Sequence, residues 1–283
     1  MATAESEDVI VTPTHTGVLS SVDPDILATL DARAAEIAQG ASAGSRIVAL
    51  LALGSVPIAL GALATEVYGQ SPADVLDVLQ FALLLEYLEA DFYQRGVSAA
   101  SLIPASDTVV FSTISAHETT HVTALRGLIT GKSATPRAKP TFDFTARGSV
   151  PGFAFAAGQY ATFTALAQAF EDTGVRAYKG QAGRLINDKP ALVTALSIHS
   201  VEARHASAVR RLRGRKGWIT GNSRDDLPAF TQPVYDGEEA STQAGINVTN
   251  LAVNFGGADS ATEAFDEPLT MAQVTAIVTP FLG

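Results

Sequence analysis

The sequence predicts an all-α fold: a four-helix bundle with a long crossover between its second and third helices. An N-terminal apolar helix precedes the bundle, and an irregular C-terminal extension ending in a short helix follows it. Three observations carry this. Long apolar runs of helical period open on cap-and-proline starts. Acids stand inside those runs at matched distances from two turns. Two of the runs also carry a histidine three residues after the acid. The division expected is 1–70 (tail and apolar segment), 71–213 (bundle) and 214–283 (extension).

Composition permits such a core. Hydrophobic residues make up 47% of the 283 and charged residues 17%, which excludes global disorder. A net charge of −10 argues against a nucleic-acid partner gripped through phosphates. With no cysteine in the chain, disulfides, thiolate metal sites, iron–sulfur clusters and cysteine nucleophiles are excluded together.

Residues 1 to about 22 read as a tail, and Asp23-Pro24-Asp25 could start a short helix through Ala38. Ile47–Ala64 is almost wholly apolar, long enough for a transmembrane helix and similar to a signal-peptide core. Its distance from Met1, the acidic segment before it and the lack of a cleavage site weigh against a signal. Pro57 and Gly61 weaken a spanning helix. A helix packed on its own protein or on a partner is the preferred reading, with a membrane anchor or a signal segment as the alternatives.

Ser71-Pro72-Ala73-Asp74 starts the first bundle helix, expected to about Val97. Asp107 is expected to cap a second helix ending near Gly131. Lys132–Ser149 lacks an apolar period and is long enough for a crossover. Pro151 is expected to open the third helix, rich in alanine and phenylalanine and reaching Gly180 or Gly183. Its aromatics Phe153, Phe155, Tyr160 and Phe163 read as core. Asn187-Asp188-Lys189-Pro190 starts the fourth, to about Arg213. Thr270-Met271-Ala272-Gln273 is a capping box for a final short helix to about Phe281.

The acids are placed by arithmetic. Glu86 and Glu118 are 32 residues apart about a midpoint at the Leu102-Ile103-Pro104 turn. Glu171 and Glu202 are 31 apart about a midpoint just before Asn187-Asp188. In an antiparallel hairpin, residues equidistant from the turn lie level, because each rises by the same amount. Glu118/His121 and Glu202/His205 each share one helix face. One Glu from each of two helices and Glu-x-x-His from each of the other two is the ligand set of carboxylate-bridged dimetal bundles. Oxygen and nitrogen donors without sulfur suit two ions of Fe or Mn, with Zn admissible. Glu89, one turn beyond Glu86, is a competing ligand or supporting acid. Asp172 and Asp91 either orient the imidazoles or stand as exposed acids, and Asp172 is also a possible ligand.

The motifs also carry a resemblance. Phe81–Tyr93, His117-Glu118-x-x-His121, Phe170-Glu171-Asp172-Thr173-Gly174-Val175-x-Ala177-Tyr178, Glu202-Ala203-Arg204-His205-Ala206 and Ala264–Thr270 resemble the ferritin-like superfamily. Within it they resemble the desiccation-related, ferritin-like domain proteins of bacteria and plants. The resemblance is strong over residues 72–213. It implies Glu86, Glu118, His121, Glu171, Glu202 and His205 as metal ligands, and Tyr93 as the tyrosine that neighbours such sites. It further implies a role in oxidative or desiccation stress, with an extracytoplasmic placement favoured. A homo-oligomer or larger assembly is expected.

The function expected is that of a dimetal protein reacting with dioxygen or peroxide, a possible oxidoreductase. The alternative from another class is a structural or accessory subunit whose 47–64 segment docks on a membrane or partner. A minor alternative reads His117-Glu118-x-x-His121 as a zinc-hydrolase helix. The blandest reading makes the four Glu-x-x-His residues surface partners of Arg126 or Arg204.

Overall fold

A computed structural model describes residues 72–283 except 244 and 255. The expected N-terminal helix and the 47–64 apolar helix lie outside the described residues. Four long helices dominate: α1 (Pro72–Ser98), α2 (Thr108–Gly131), α3 (Tyr160–Ala182) and α4 (Lys189–Leu212). α1 packs along α2 and α3 along α4, and the hairpins meet through α1–α3 and α2–α4 contacts. The all-α bundle is thus as the sequence predicts. No helix among the described residues is long and apolar enough to cross a membrane.

α1 is buried on every side from Phe81 to Tyr93, so it must be covered all round. Its inner side faces the bundle. Its outer side is roofed by the crossover of residues 132–159. Gln80 donates to Thr135 O and accepts from the Arg137 N–H at 2.8 Å, the Tyr87 hydroxyl reaches Arg137 O, and Lys139 pairs with Asp91. Phe142, Phe144 and Phe153 of the crossover are buried, and the Phe92 ring meets Phe144, Phe153, Phe155 and Phe163.

α3 is buried on nearly every side from Leu166 to Tyr178, and its roof is the C-terminal extension. That extension holds 3-10 turns at Ala229–Val234 and Thr249–Leu251, a two-residue hairpin β1 (Thr242–Gln243) and β2 (Ile246–Asn247), α5 (Ala258–Thr262) and α6 (Met271–Val278). Arg176 anchors it. The guanidinium donates to Glu267 O (2.7 Å), Asp236 O (3.0 Å) and Val234 O, and pairs with Glu238 at 2.7 Å. Leu269 lies so close to α3 that a Cβ at Gly180 would stand 1.9 Å from its carbonyl oxygen. The chain end then pairs with the crossover, Asp143 N donating to Phe281 O and Gly283 N to Thr141 O.

Helix starts test the sequence reading residue by residue. Asp188 caps α4 by accepting from Ala191 N at 3.0 Å, and the Thr270/Gln273 box opens α6, both as expected. Two expectations are corrected. Asp107 precedes α2 without capping it, because its carboxylate accepts the Tyr160 hydroxyl and ties the start of α2 to that of α3. The third helix opens at Tyr160, not Pro151. Gly152, Phe155 and Gly158 have positive φ, and the Gln159 side chain binds Gly152 O and the N–H groups of Ala154 and Ala156. A chain in left-handed conformation cannot continue a right-handed helix, so the aromatics there pack as a loop on Phe92.

Candidate metal centre

At mid-height of the bundle the inward positions turn from apolar to acidic. Glu86 comes from α1, Glu118 and His121 from α2, Glu171 from α3, Glu202 and His205 from α4. The four carboxylates are fully buried, and the imidazoles are 6% and 4% exposed. The level placement about each turn is what brings them together. Among the described residues they form two overlapping groups whose ligand atoms lie within 4.8 Å of one another. One is Glu86, Glu118, His121 and Glu202; the other is Glu118, Glu171, Glu202 and His205. Glu118 and Glu202 are common to both.

His121 Nδ1 lies 3.1 Å from Glu86 Oε2, 3.2 Å from Glu118 Oε2 and 3.1 Å from Glu202 Oε1. His205 Nδ1 lies 2.9 Å from Glu118 Oε1 and 3.3 Å from Glu171 Oε2. One ring nitrogen cannot serve three carboxylates as a donor. Several of these close approaches also lack hydrogen-bond alignment. Glu118 Oε1, Glu171 Oε2, both Glu202 oxygens and His205 Nδ1 have no hydrogen-bond partner among the described residues. Donors around one six-coordinate ion at about 2.1 Å stand about 3.0 Å apart, the edge of the octahedron. The observed spacing is compatible with ligands about shared centres, and each group could hold a metal ion.

The sequence profile of the ferritin-like domain matches residues 74–215, half of the chain. The chain belongs to the ferritin-like family. No curated protein matches it significantly.

Around this ferritin-like centre two tyrosines cross between hairpins. The Tyr93 hydroxyl donates to Glu171 Oε1 and the Tyr178 hydroxyl to Glu86 Oε1. The resemblance implies Tyr93 beside the site and assigns no role to Tyr178. Its signal is the spacing, since Tyr178 follows Glu171 by the same two turns that separate Tyr93 from Glu86. His117 is exposed, and its Nδ1 sits 2.9 Å from His205 Nε2 with the rings stacked. It belongs to neither group, so it steadies the His205 ring from outside, and the zinc-hydrolase arrangement is not formed. Arg126 binds the Tyr87 hydroxyl and Arg204 the Ser200 carbonyl, so neither arginine pairs with the acids.

Asp172 and Asp91 do not orient imidazoles. Asp172 takes a forked pair of bonds from Arg210 (3.0 and 2.7 Å) and the Tyr235 hydroxyl at 2.7 Å, and Asp91 pairs with Lys139 and Arg95. The physical reason is helical: a residue directly after Glu171 is turned about 100° away from the centre. Glu89, by contrast, is buried beside the group, at 3% exposure.

Burial and like charge set the electrostatics of the group. Burial pushes Glu86 up to about 7, and burial raises Glu89, Glu171 and Glu202 as well. Burial alone would lower the imidazoles. Instead the carboxylates of Glu118, Glu202 and Glu86 raise His121, and Glu171 and Glu118 lift His205 to about 11. All of these shifts favour the protonated forms, and a bound cation would compete with those protons.

Proposed function

We propose that this ferritin-like protein holds two Fe or Mn ions through Glu86, Glu118, His121, Glu171, Glu202 and His205 and uses them on dioxygen or peroxide. The observation that carries this is the overlap of the two groups through Glu118 and Glu202, with acceptor atoms that no protein donor satisfies. Carboxylate and imidazole donors without sulfur favour Fe or Mn. When bound, the pair would supply one-electron redox steps that carboxylates and imidazoles do not.

The chain's own residues set the conditions. Tyr93 and Tyr178 each donate to one oxygen of a carboxylate and fix its plane, which leaves Glu171 Oε2 without a donor and Glu86 Oε2 facing His121 Nδ1. His117 fixes the His205 ring. The full burial of the four carboxylates favours a small reactant such as dioxygen or peroxide over a bulky substrate. A role in oxidative or desiccation stress is supported by the motif resemblance.

A scaffold reading draws on a different observation, the exposure of Val193 and Leu196 on α4 at 53% and 46%, an apolar surface suited to assembly. Metal content separates the two. Elemental analysis is expected to find two ions per chain in the reconstituted protein. Glu118→Gln and Glu202→Gln, each removing a carboxylate common to both groups, should bring this to one or fewer. Unchanged content in either variant would refute the site.

A further inference from the structure

The two hairpins are near-copies around the centre. Glu86, Tyr87 and Tyr93 correspond to Glu171, Asp172 and Tyr178; Glu118, His121 and Arg126 correspond to Glu202, His205 and Arg210. Even the outer pairs repeat, Arg126 on Tyr87 and Arg210 on Asp172. Three residues past the first glutamate the copies part: α1 has Glu89 where α3 has Gly174.

The difference is spatially reciprocal. A Cβ at Gly174 would stand 3.2 Å from Glu202 Oε2 and 3.4 Å from Glu89 Oε1. The room a side chain would take on α3 is thus occupied by the carboxylate from α1. Glu89 is 3% exposed, and its Oε2 has no hydrogen-bond partner among the described residues, like both oxygens of Glu202 beside it. Glu89 and Gly174 also line a narrow cleft of about 190 Å³ with Leu85, Leu88, Phe170, Thr173 and Val278. A charged carboxylate held in the core costs several kcal/mol unless a cation or a proton joins it.

We propose that Glu89 is a further metal-binding residue, a fifth carboxylate for the pair of ions, admitted by Gly174 and making the two ion positions inequivalent. This rests on the dimetal reading above. Four carboxylates balance two divalent ions. The fifth leaves one negative charge in excess, so Glu89 tightens the hold on the pair and favours a higher total charge on it.

The test is titration of Mn²⁺ into metal-free wild type, Glu89→Gln and Gly174→Ala against a competing chelator, with melting curves of the metal-free proteins. Glutamine keeps the shape of Glu89 and removes its charge. Metal-free Glu89→Gln is therefore expected to melt no lower than wild type, and to bind the second ion at least about tenfold more weakly. Gly174→Ala keeps every carboxylate but crowds Glu89 and Glu202, and should weaken the same step. Second-ion affinity in Glu89→Gln equal to wild type overturns this inference and leaves the dimetal reading standing. A wild type that takes up no ion overturns both.

Discussion

Arg210→Met is expected to lower the stability of the protein by about 3–5 kcal/mol, the usual cost of stripping one partner from a buried ion pair. Arg210 and Asp172 are 2% and 3% exposed. The guanidinium meets Asp172 with two bonds, reaches Asp225 at 3.1 Å and lies over the Tyr235 ring. Without it, Asp172 would stand charged in the core beside Glu171, with the Tyr235 hydroxyl as its remaining close donor. Chemical denaturation with an unchanged slope reads the loss directly. The double variant Arg210→Met/Asp172→Leu should recover most of it, because removing both partners leaves no orphaned charge. A single-variant loss under about 1 kcal/mol, typical of an exposed pair, would show that water reaches Asp172.

The second large effect is the exchange of protons for metal. Glu86 sits near 7 in the folded protein against an ordinary 4.5, and Glu238, also raised by burial, near 7. An acid raised by folding stabilises the fold fully below its ordinary value, and that contribution is lost as pH climbs through the folded value. The raised imidazoles act in the same sense: their contribution is full below 6.5 and fades as pH rises towards the folded value, about 11 for His205. Asp143 and Glu263 are lowered by hydrogen bonds from Thr145 and Lys216, but they act only below their ordinary values of 3.8 and 4.5. His117 and His199, lowered by burial, oppose the loss only up to about 6.5, so metal-free protein should on balance lose stability from pH 5 to pH 8. Mn²⁺ should reverse that loss, adding about 2.7 kcal/mol at a hundredfold excess over its Kd. Binding should release protons and tighten as pH rises, which calorimetry in buffers of different ionisation enthalpy measures. Metal-free protein equally stable at both pH values, or binding without proton release, would contradict the electrostatic account.

Much of this was legible in the sequence because it depends on counting. The positions of Glu86, Glu118, Glu171 and Glu202 about two turns fix their height, and the three-residue step to His121 and His205 fixes their face. Asp188 and Thr270 announce helix starts through local bonds. The rest depends on partners far along the chain. Asp107 has the pattern of a cap, yet Tyr160 takes its carboxylate. Pro151 has the pattern of a helix start, yet the left-handed residues after it fold the aromatics back onto Phe92. Asp172 looks like support for an imidazole, and only the position of Arg210 and Tyr235 shows that it faces the extension. The relation of Glu89 to Gly174 emerges only when the hairpins are superposed, because a glycine carries no side chain to signal what occupies its place.

The central claim is best tested by anomalous diffraction at the Mn or Fe edge from crystals of the metal-loaded protein. The account predicts two peaks between α1, α2, α3 and α4, each within bonding distance of Glu118 and Glu202, one beside His121 and the other beside His205. Peaks confined to the surface, or none at the level of Glu86 and Glu171, would contradict it.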